Sequence, residues 1–281
     1  MNSPLVSIVI PCYNAERWVS DTIHSALAQT YTPAEVVVVD DGSTDSSPDI
    51  ITSFDGRIIF QCLDHRGAPA ARNRGWQLSK GEFIHFLDAD DILFPSCLMR
   101  KMNLAMIKGS DVVYSGGFFY DAQANVGVYE PQSPPGESTV ETVAHVIANT
   151  IVTSQLLCRR TSLEAVGGFD ETLSKGQEHD LLLRLACRGA KFGYLPEALS
   201  LNRTGHNVNS ITSVTSRDPR HYEALLFQFE DRLRETDFWN PQVRSALARR
   251  PSIRPGRGRQ LRRAVVPTTA AELGSRCPHC A

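Results

Sequence analysis

The feature that most constrains this chain is the alternation, over its first 115 residues, of short β-rich runs with amphipathic stretches. Val6–Ile10, Glu35–Val39, Arg57–Phe60, Phe83–Leu87 and Asp111–Tyr114 read as strands. The VVVV within the second run is apolar on both faces, as a parallel strand covered by helices on either side requires. Between these runs, Ala15–Gln29 gathers Trp18, Val19, Thr22, Ile23, Ala26 and Leu27 on one helical face. Ser47–Phe54 carries Pro48 near a first-turn position, and Pro95–Lys108 opens on proline and stops at Gly109. Such an alternation predicts an α/β sheet with right-handed crossovers. Beyond Gly116 the pattern loosens. EPQSPPG (130–136) reads as a loop, Val140–Asn149, His179–Arg188 and His221–Arg234 as helices, and Ser154–Cys158 as a short strand.

At 281 residues, 42% apolar and 21% charged, the chain has the material for a full core, which excludes a disordered, collagen-like or disulfide-stapled protein. No apolar run of about 18 residues occurs, so no transmembrane helix is expected. The opening MNSPLVSIVIPCYN has no basic segment before its apolar run, so no secretory signal is expected either. Seven scattered cysteines suggest reduced thiols and a cytoplasmic protein. Only Cys277 and Cys280 form a CxxC, and without a second pair of ligands a closed zinc site is not expected there.

Charge is segregated. Of 29 basic and 31 acidic residues, nine arginines and a single acid, Glu272, lie from Arg244 onward, so the remainder carries ten more acids than bases. RRPSIRPGRGRQLRR (249–263) reads as a solvated, disordered arm. It is either a tail without a specific partner or a patch drawn to a polyanion, with an anionic membrane favoured over a specific nucleic acid.

Ligands of open α/β sheets bind past the carboxyl ends of the strands. There the sequence puts Pro11-Cys12-Tyr13-Asn14 after the first strand, Asp40-Asp41-Gly42-Ser43 after the second and Asp88-Ala89-Asp90-Asp91 after the fourth. Carboxylates crowded at one rim repel one another unless a cation compensates them. Oxygen ligands select Mg²⁺ or Mn²⁺, which take one or two carboxylates plus substrate phosphates. The blander roles are plain: Asp41 and Ser43 as turn and capping residues, Tyr13 as a rim aromatic, Arg72 and Arg74 as the solvated face of a helix.

VSIVIPCYNAERWVSDTIHSALAQTYTPAEVVVVDDGSTDSS and GAPAARNRGWQLSKGEFIHFLDADD together resemble the two signatures of inverting family-two glycosyltransferases, over roughly residues 5–210. The resemblance implies a Rossmann-like type-A glycosyltransferase fold with a mostly parallel central sheet flanked by helices. It divides the chain into a nucleotide-sugar-binding half (1–115), an acceptor-binding and catalytic half (116–236) and a basic tail (237–281). It implies a nucleotide-sugar donor, with uridine favoured over thymidine or guanosine, and a glycan or lipid-linked acceptor at the inner face of a membrane. By the same resemblance Pro11, Tyr13 and Asp41 form the base pocket, with Tyr13 stacking on the ring and Asp41 accepting from its N–H. Asp88 contacts the ribose, Asp90 holds Mn²⁺ or Mg²⁺, and Arg72 or Arg74 faces the nucleotide. Asp91 is the metal candidate one residue along. GQEHDLLLRL (176–185), after GGFDE (167–171), is similar to the family segment that carries the catalytic base, which puts Glu178 in that role and Asp180 as its nearest alternative. His179 and Leu183 depart from the aromatic residue and tryptophan usual there. Arg203 and His206 are candidates to close over the diphosphate.

Two other readings compete. A hydrophobic strand ending in DAD also resembles the nucleophile motif of haloacid-dehalogenase-like phosphatases, where the first aspartate attacks phosphorus. A non-enzymatic protein docking through the basic arm is the third.

Overall fold

A computed structural model of the chain describes residues 3–121, 126–130, 132–204, 229–231, 233–234 and 236–249. Its spine is a nine-stranded sheet. Four parallel strands open it: β1 (Val6–Cys12), β2 (Ala34–Asp40), β3 (Ile59–Cys62) and β4 (Phe83–Phe86), in the order β3-β2-β1-β4. The sheet continues from β4 through β8 (Leu156–Arg159), β6 (Val112–Asp121), β9 (Phe192–Thr204) and the two-residue β5 (Ile92–Leu93), with β7 (Val126–Glu130) on β6. Strand β8 runs antiparallel to β4 and to β6, whereas β9 runs parallel to β6. Strands β5, β7 and β8 therefore oppose the other six, and the sheet is mostly parallel as expected.

Helices α1 (Val19–Leu27), α2 (Ser47–Thr52), α3 (Ala68–Leu78) and α4 (Cys97–Lys108) connect the first strands. Helices α5 (Thr139–Ala148), α6 (Arg160–Val166), α7 (Gln177–Cys187) and α8 (Pro241–Arg249) belong to the second half. Two apolar cores fill the two faces of the sheet. One holds Ile8, Ile10, Val36, Val38, Ile23 and Met102, the other Val9, Val37, Val39, Phe86, Tyr114 and the leucines of α7. Alternate residues of β1 and β2 thus go to opposite cores, which is why both strands are apolar throughout. Helix α3 lies so close to β1 that a Cβ on Gly75 would come 2.3 Å from Val9 Cγ1, so no larger residue fits there without a shift.

Several boundaries differ from expectation. The helix expected from Ala15 starts at Val19, because residues 16–18 form a turn in which both Trp18 and Val19 donate to the Ala15 carbonyl. The third strand begins two residues late, after a turn closed by the Arg57 N–H on the Phe54 carbonyl. Strand β6 does not stop at Tyr114. It runs through Gly116 and Gly117 to Asp121, pairing with β9 across register shifts at those glycines. A Cβ on Gly117 would lie 2.7 Å from both Asn202 Oδ1 and Gln155 Nε2, so glycine at that position admits polar neighbours to the strand.

The tail expected from residue 237 begins instead with α8, whose Val243 and Ala246 are buried in the core beside α5. Residues 241–249 of the expected tail are therefore helical, since apolar residues at helical spacing outweigh the local excess of arginine. Most of the helix expected over His221–Arg234, and the arm with Cys277 and Cys280, lie outside the described residues.

Candidate active site

The carboxyl ends of β1, β2 and β4 lie side by side, because β1 is flanked by the other two. Pro11 is buried inside β1, opposite Val39, and Tyr13 emerges just past the strand with 48% exposure. The loop after β2 is knitted from its own polar groups. Asp40 accepts from the Ser43 N–H and hydroxyl at 3.0 and 2.5 Å, and the Thr44 N–H donates to Asn14 Oδ1 at 2.8 Å. Asp41, 2% exposed, accepts from the backbone N–H groups of Arg66 and Gly67, each at 2.8 Å. His65 approaches the same carboxylate at 3.1 Å and stacks on Tyr13. The turn role expected for this loop therefore coexists with an aromatic-and-carboxylate corner at its rim.

The loop after β4 carries three aspartates with different fates. Asp91 is buried. Its Oδ2 accepts from Ser154 Oγ and Asn202 Nδ2, each at 2.6 Å, and its Oδ1 from the Arg203 N–H at 3.0 Å. Burial, with the charges of Asp90 and Asp88, pushes its pKa well above the ordinary carboxylate value. Asp91, the adjacent metal candidate, is thus bonded to Ser154, Asn202 and the Arg203 N–H and anchors the loop. Asp88 and Asp90 remain half-buried at the rim. Burial raises the Asp88 pKa, Arg72 opposes that, and Asp90 and Glu178 add to it.

Arg72 is the hub. Its position on α3 leaves it buried rather than solvated, with Nη2 donating to Asp88 Oδ1 at 2.7 Å and Nη1 to Gln177 Oε1 at 2.8 Å. Its guanidinium lies over the Phe169 ring, 5.4 Å from the centroid. The expectation that either arginine of the pair faces the site resolves to Arg72, since Arg74 turns away to Gln61 on β3.

Gln177 and Glu178 begin α7, after Gly176 at φ +66°, a left-handed conformation that glycine adopts at little cost. Glu178 keeps 25% of its side chain exposed. Burial raises its pKa, but His179, Arg72 and the helix N-terminal backbone outweigh that and hold it below the ordinary value. His179, which stands in place of the expected aromatic, is buried and makes a 2.9 Å bond through Nε2 to the Asn149 carbonyl, tying α7 to the end of α5.

Asp180 lies two residues on and 1% exposed, in an ion pair with Arg184 at 2.7 Å. Arg184 in turn donates to the carbonyl of Val166, the last residue of α6, and to that of Gly168 in the GGFDE turn. Asp180 therefore braces α7 against that turn, whereas the charge of Glu178 acts on Asp88. Arg203 braces the DAD loop, with Nη1 on the Asp90 carbonyl at 3.0 Å, Nη2 on Asp21 at 3.1 Å and its guanidinium over Trp18. His206 lies outside the described residues.

Sequence reasoning missed Gln177, His65 and Ser154 as partners of the site. Gln177 at least stood directly before Glu178; nothing local marks His65 or Ser154. Among the described residues, no three His, Cys, Asp or Glu side chains gather closely enough to hold a metal by themselves. Two like charges at Asp88 and Asp90 on one loop nevertheless suit a divalent ion that takes its remaining ligands from a substrate.

The site lies where open α/β sheets bind their ligands, and comparison with known proteins gives its class. Residues 7–167 match the family model described as glycosyl transferase family 2, and the chain belongs to that family. An uncharacterized glycosyltransferase of Rickettsia typhi is 29% identical over 235 residues, covering 82% of this chain and 73% of that protein. Another, from Nostoc sp., is 36% identical over 223 residues, covering 75% and 68% respectively. The fold is also that of solved structures. S. aureus TarS residues 1–349 in complex with UDP-GlcNAc superposes with a TM-score of 0.71 at 20% identity, covering 86% of this chain and 70% of that one. The mannosyltransferase PcManGT of Pyrobaculum calidifontis, in complex with GDP-Man and Mn²⁺, gives 0.63 at 17% identity, covering 88% and 69%. The phosphohydrolase and non-enzymatic readings are set aside by the family match.

Proposed function

We propose that this glycosyltransferase moves a sugar from a nucleotide-diphosphate-sugar, with uridine the favoured base, to a hydroxyl of a glycan or lipid-linked acceptor, by an inverting single displacement. The observation that carries the reading is the bridge from Asp88 through Arg72 to Gln177, which joins the donor-side loop to the helix start bearing Glu178. An inverting transfer needs two separate chemical services on opposite sides of one carbon, and this bridge holds two carboxylate groups at a fixed separation. Tyr13 stacks on the base, Asp41 accepts from its N–H beside the wall made by Pro11, and Asp88 takes the ribose.

Asp90, with Asp88 beside it, would hold Mn²⁺ or Mg²⁺, which when bound neutralises charge on the diphosphate. Glu178, kept ionised by its surroundings, takes the proton of the acceptor hydroxyl. The hydroxyl oxygen forms its bond to the anomeric carbon as the carbon–phosphate oxygen bond breaks, and that electron pair leaves with the nucleotide diphosphate. Arg72 supplies the fixed positive charge between the two carboxylate groups. Among the described residues no helix is long and apolar enough to cross a membrane. A lipid-linked acceptor would be met at the membrane's inner face, with the arginine-rich arm as the peripheral contact.

The test is a panel of nucleotide sugars assayed by thermal shift with and without Mn²⁺, since a good donor raises the midpoint by mass action. A Mn²⁺-dependent rise with one UDP-sugar supports the reading. A flat response across the whole panel overturns it.

A further inference from the structure

The loop between β3 and α3 puts a side chain of the protein itself into the corner read above as the base pocket. The His65 ring stacks on Tyr13 with centroids 4.1 Å apart and planes 29° from parallel. Its Nδ1 lies 3.0 Å from the Asp41 carbonyl oxygen and 3.1 Å from Asp41 Oδ2. Both of those atoms are acceptors, so Nδ1 must carry a ring proton and donate it. His65 therefore lays an aromatic face on Tyr13 and gives a ring N–H to Asp41. Those are the two contacts assigned to the donor's base, and two rings at this spacing leave no room for a third between them.

The backbone around His65 is fixed, because the next two N–H groups, of Arg66 and Gly67, are both bound by the Asp41 carboxylate. The side chain is not enclosed: it is 56% exposed. It can leave Tyr13 by a change of rotamer, with Asp41 still held by its two backbone donors.

We propose that His65 is the internal occupant of the base pocket in the donor-free enzyme, and that the donor's base binds by displacing its side chain. The inference rests on the Tyr13–Asp41 pocket reading. Displacement exchanges one stacked ring and one N–H bond for another pair of the same kind, so donor affinity is reduced by the fraction of molecules in which His65 holds the pocket. Any nucleotide must evict the same side chain, so the reduction is the same for every base. Discrimination among bases stays with Asp41, which accepts from the ring N–H of uracil or guanine and finds none at that edge of cytosine.

The experiment is calorimetric titration of the full chain with UDP and with CDP in the presence of Mn²⁺, on the wild type and on His65→Ala, His65→Asn, Tyr13→Ala and Asp41→Ala. His65→Ala should tighten UDP binding about three- to tenfold, the size of one exposed ring contact, and leave the UDP-to-CDP ratio unchanged. His65→Asn keeps a donor and loses the ring, and should fall between the two. Unchanged or weaker UDP binding by both His65 variants overturns the proposal, weaker binding making His65 a wall that supports the base. Tyr13→Ala and Asp41→Ala separate the two failures. If they weaken binding while the His65 variants do not tighten it, the pocket stands and the displacement falls. If neither affects UDP, the pocket reading falls as well.

Discussion

The two halves of the sheet reach the same rim by different means. In the first half, β1, β2 and β4 run parallel and adjacent, and each ends in a polar loop that delivers its side chains directly to the site. In the second half, β8 runs against its neighbours, and the carboxylate proposed as the base comes from the amino end of α7. The start of α7 is tied to other elements by Arg72 on Gln177, by His179 on the Asn149 carbonyl and by Arg184 on the Gly168 carbonyl. The donor-side side chains thus come from loops at strand ends, although distant partners such as Ser154, Asn202 and Arg203 hold the β4 loop, while Glu178 comes from a helix start. Variants of the first half should act on donor affinity as well as rate, and those of the second on rate or on stability alone.

The sharpest break of that comparison is Glu178→Gln, which keeps shape and removes basicity. It should lower kcat by about two to four orders of magnitude with little change in donor affinity. The pKa of Glu178 is held below the ordinary carboxylate value, and the base works when ionised. The wild-type kcat should therefore stay level as pH falls toward the ordinary carboxylate range and drop only below it. A rising limb near neutral pH, persisting in the Gln variant, would assign the proton transfer elsewhere.

Asp90→Ala comes next. Loss of charge stabilisation at the leaving group should cost about a hundredfold in kcat/KM and abolish any Mn²⁺ effect on donor binding. Full activity after EDTA treatment would require a metal-independent mechanism.

Asp180→Asn separates bracing from chemistry. It breaks a buried ion pair, so unfolding free energy should fall by about 1–3 kcal/mol, read by denaturant titration, with kcat preserved under conditions where the variant is folded. Loss of transfer in this variant, with activity kept in Glu178→Gln, would move the base two residues.

The smallest effect on turnover is expected from truncation after Arg249, which removes the arm and spares α8. Soluble donor turnover should be unchanged, and sedimentation with anionic liposomes at low salt should weaken. Equal sedimentation of both forms would rule out a membrane role for the arm.

Much of the first half was legible because its signals are local. Doubly apolar runs mark buried parallel strands, and polar residues past their ends mark the rim, so the places of Tyr13, Asp41, Asp88 and Asp90 followed from the chain itself. Resemblance, not periodicity, singled out Glu178 in the second half. The expected strand stops at Tyr114, whereas β6 continues past Gly117, which leaves room for Gln155 and Asn202 from segments far away in sequence.

The sequence by itself determined the α/β class, the parallel opening of the sheet and the set of carboxylates at its edge, since each depends on spacing within a short window. Only the tertiary structure decided what each charged group does. Asp91 turned inward to Ser154 and Asn202, Arg203 went to the back of the DAD loop, and Arg72 joined Asp88 to Gln177, which lies 105 residues from that arginine. A carboxylate or guanidinium has the same local propensities whether it meets solvent, a ligand or a buried partner. Its role is fixed by which partners the folded chain brings within about 3 Å, and those partners come from elsewhere in the chain.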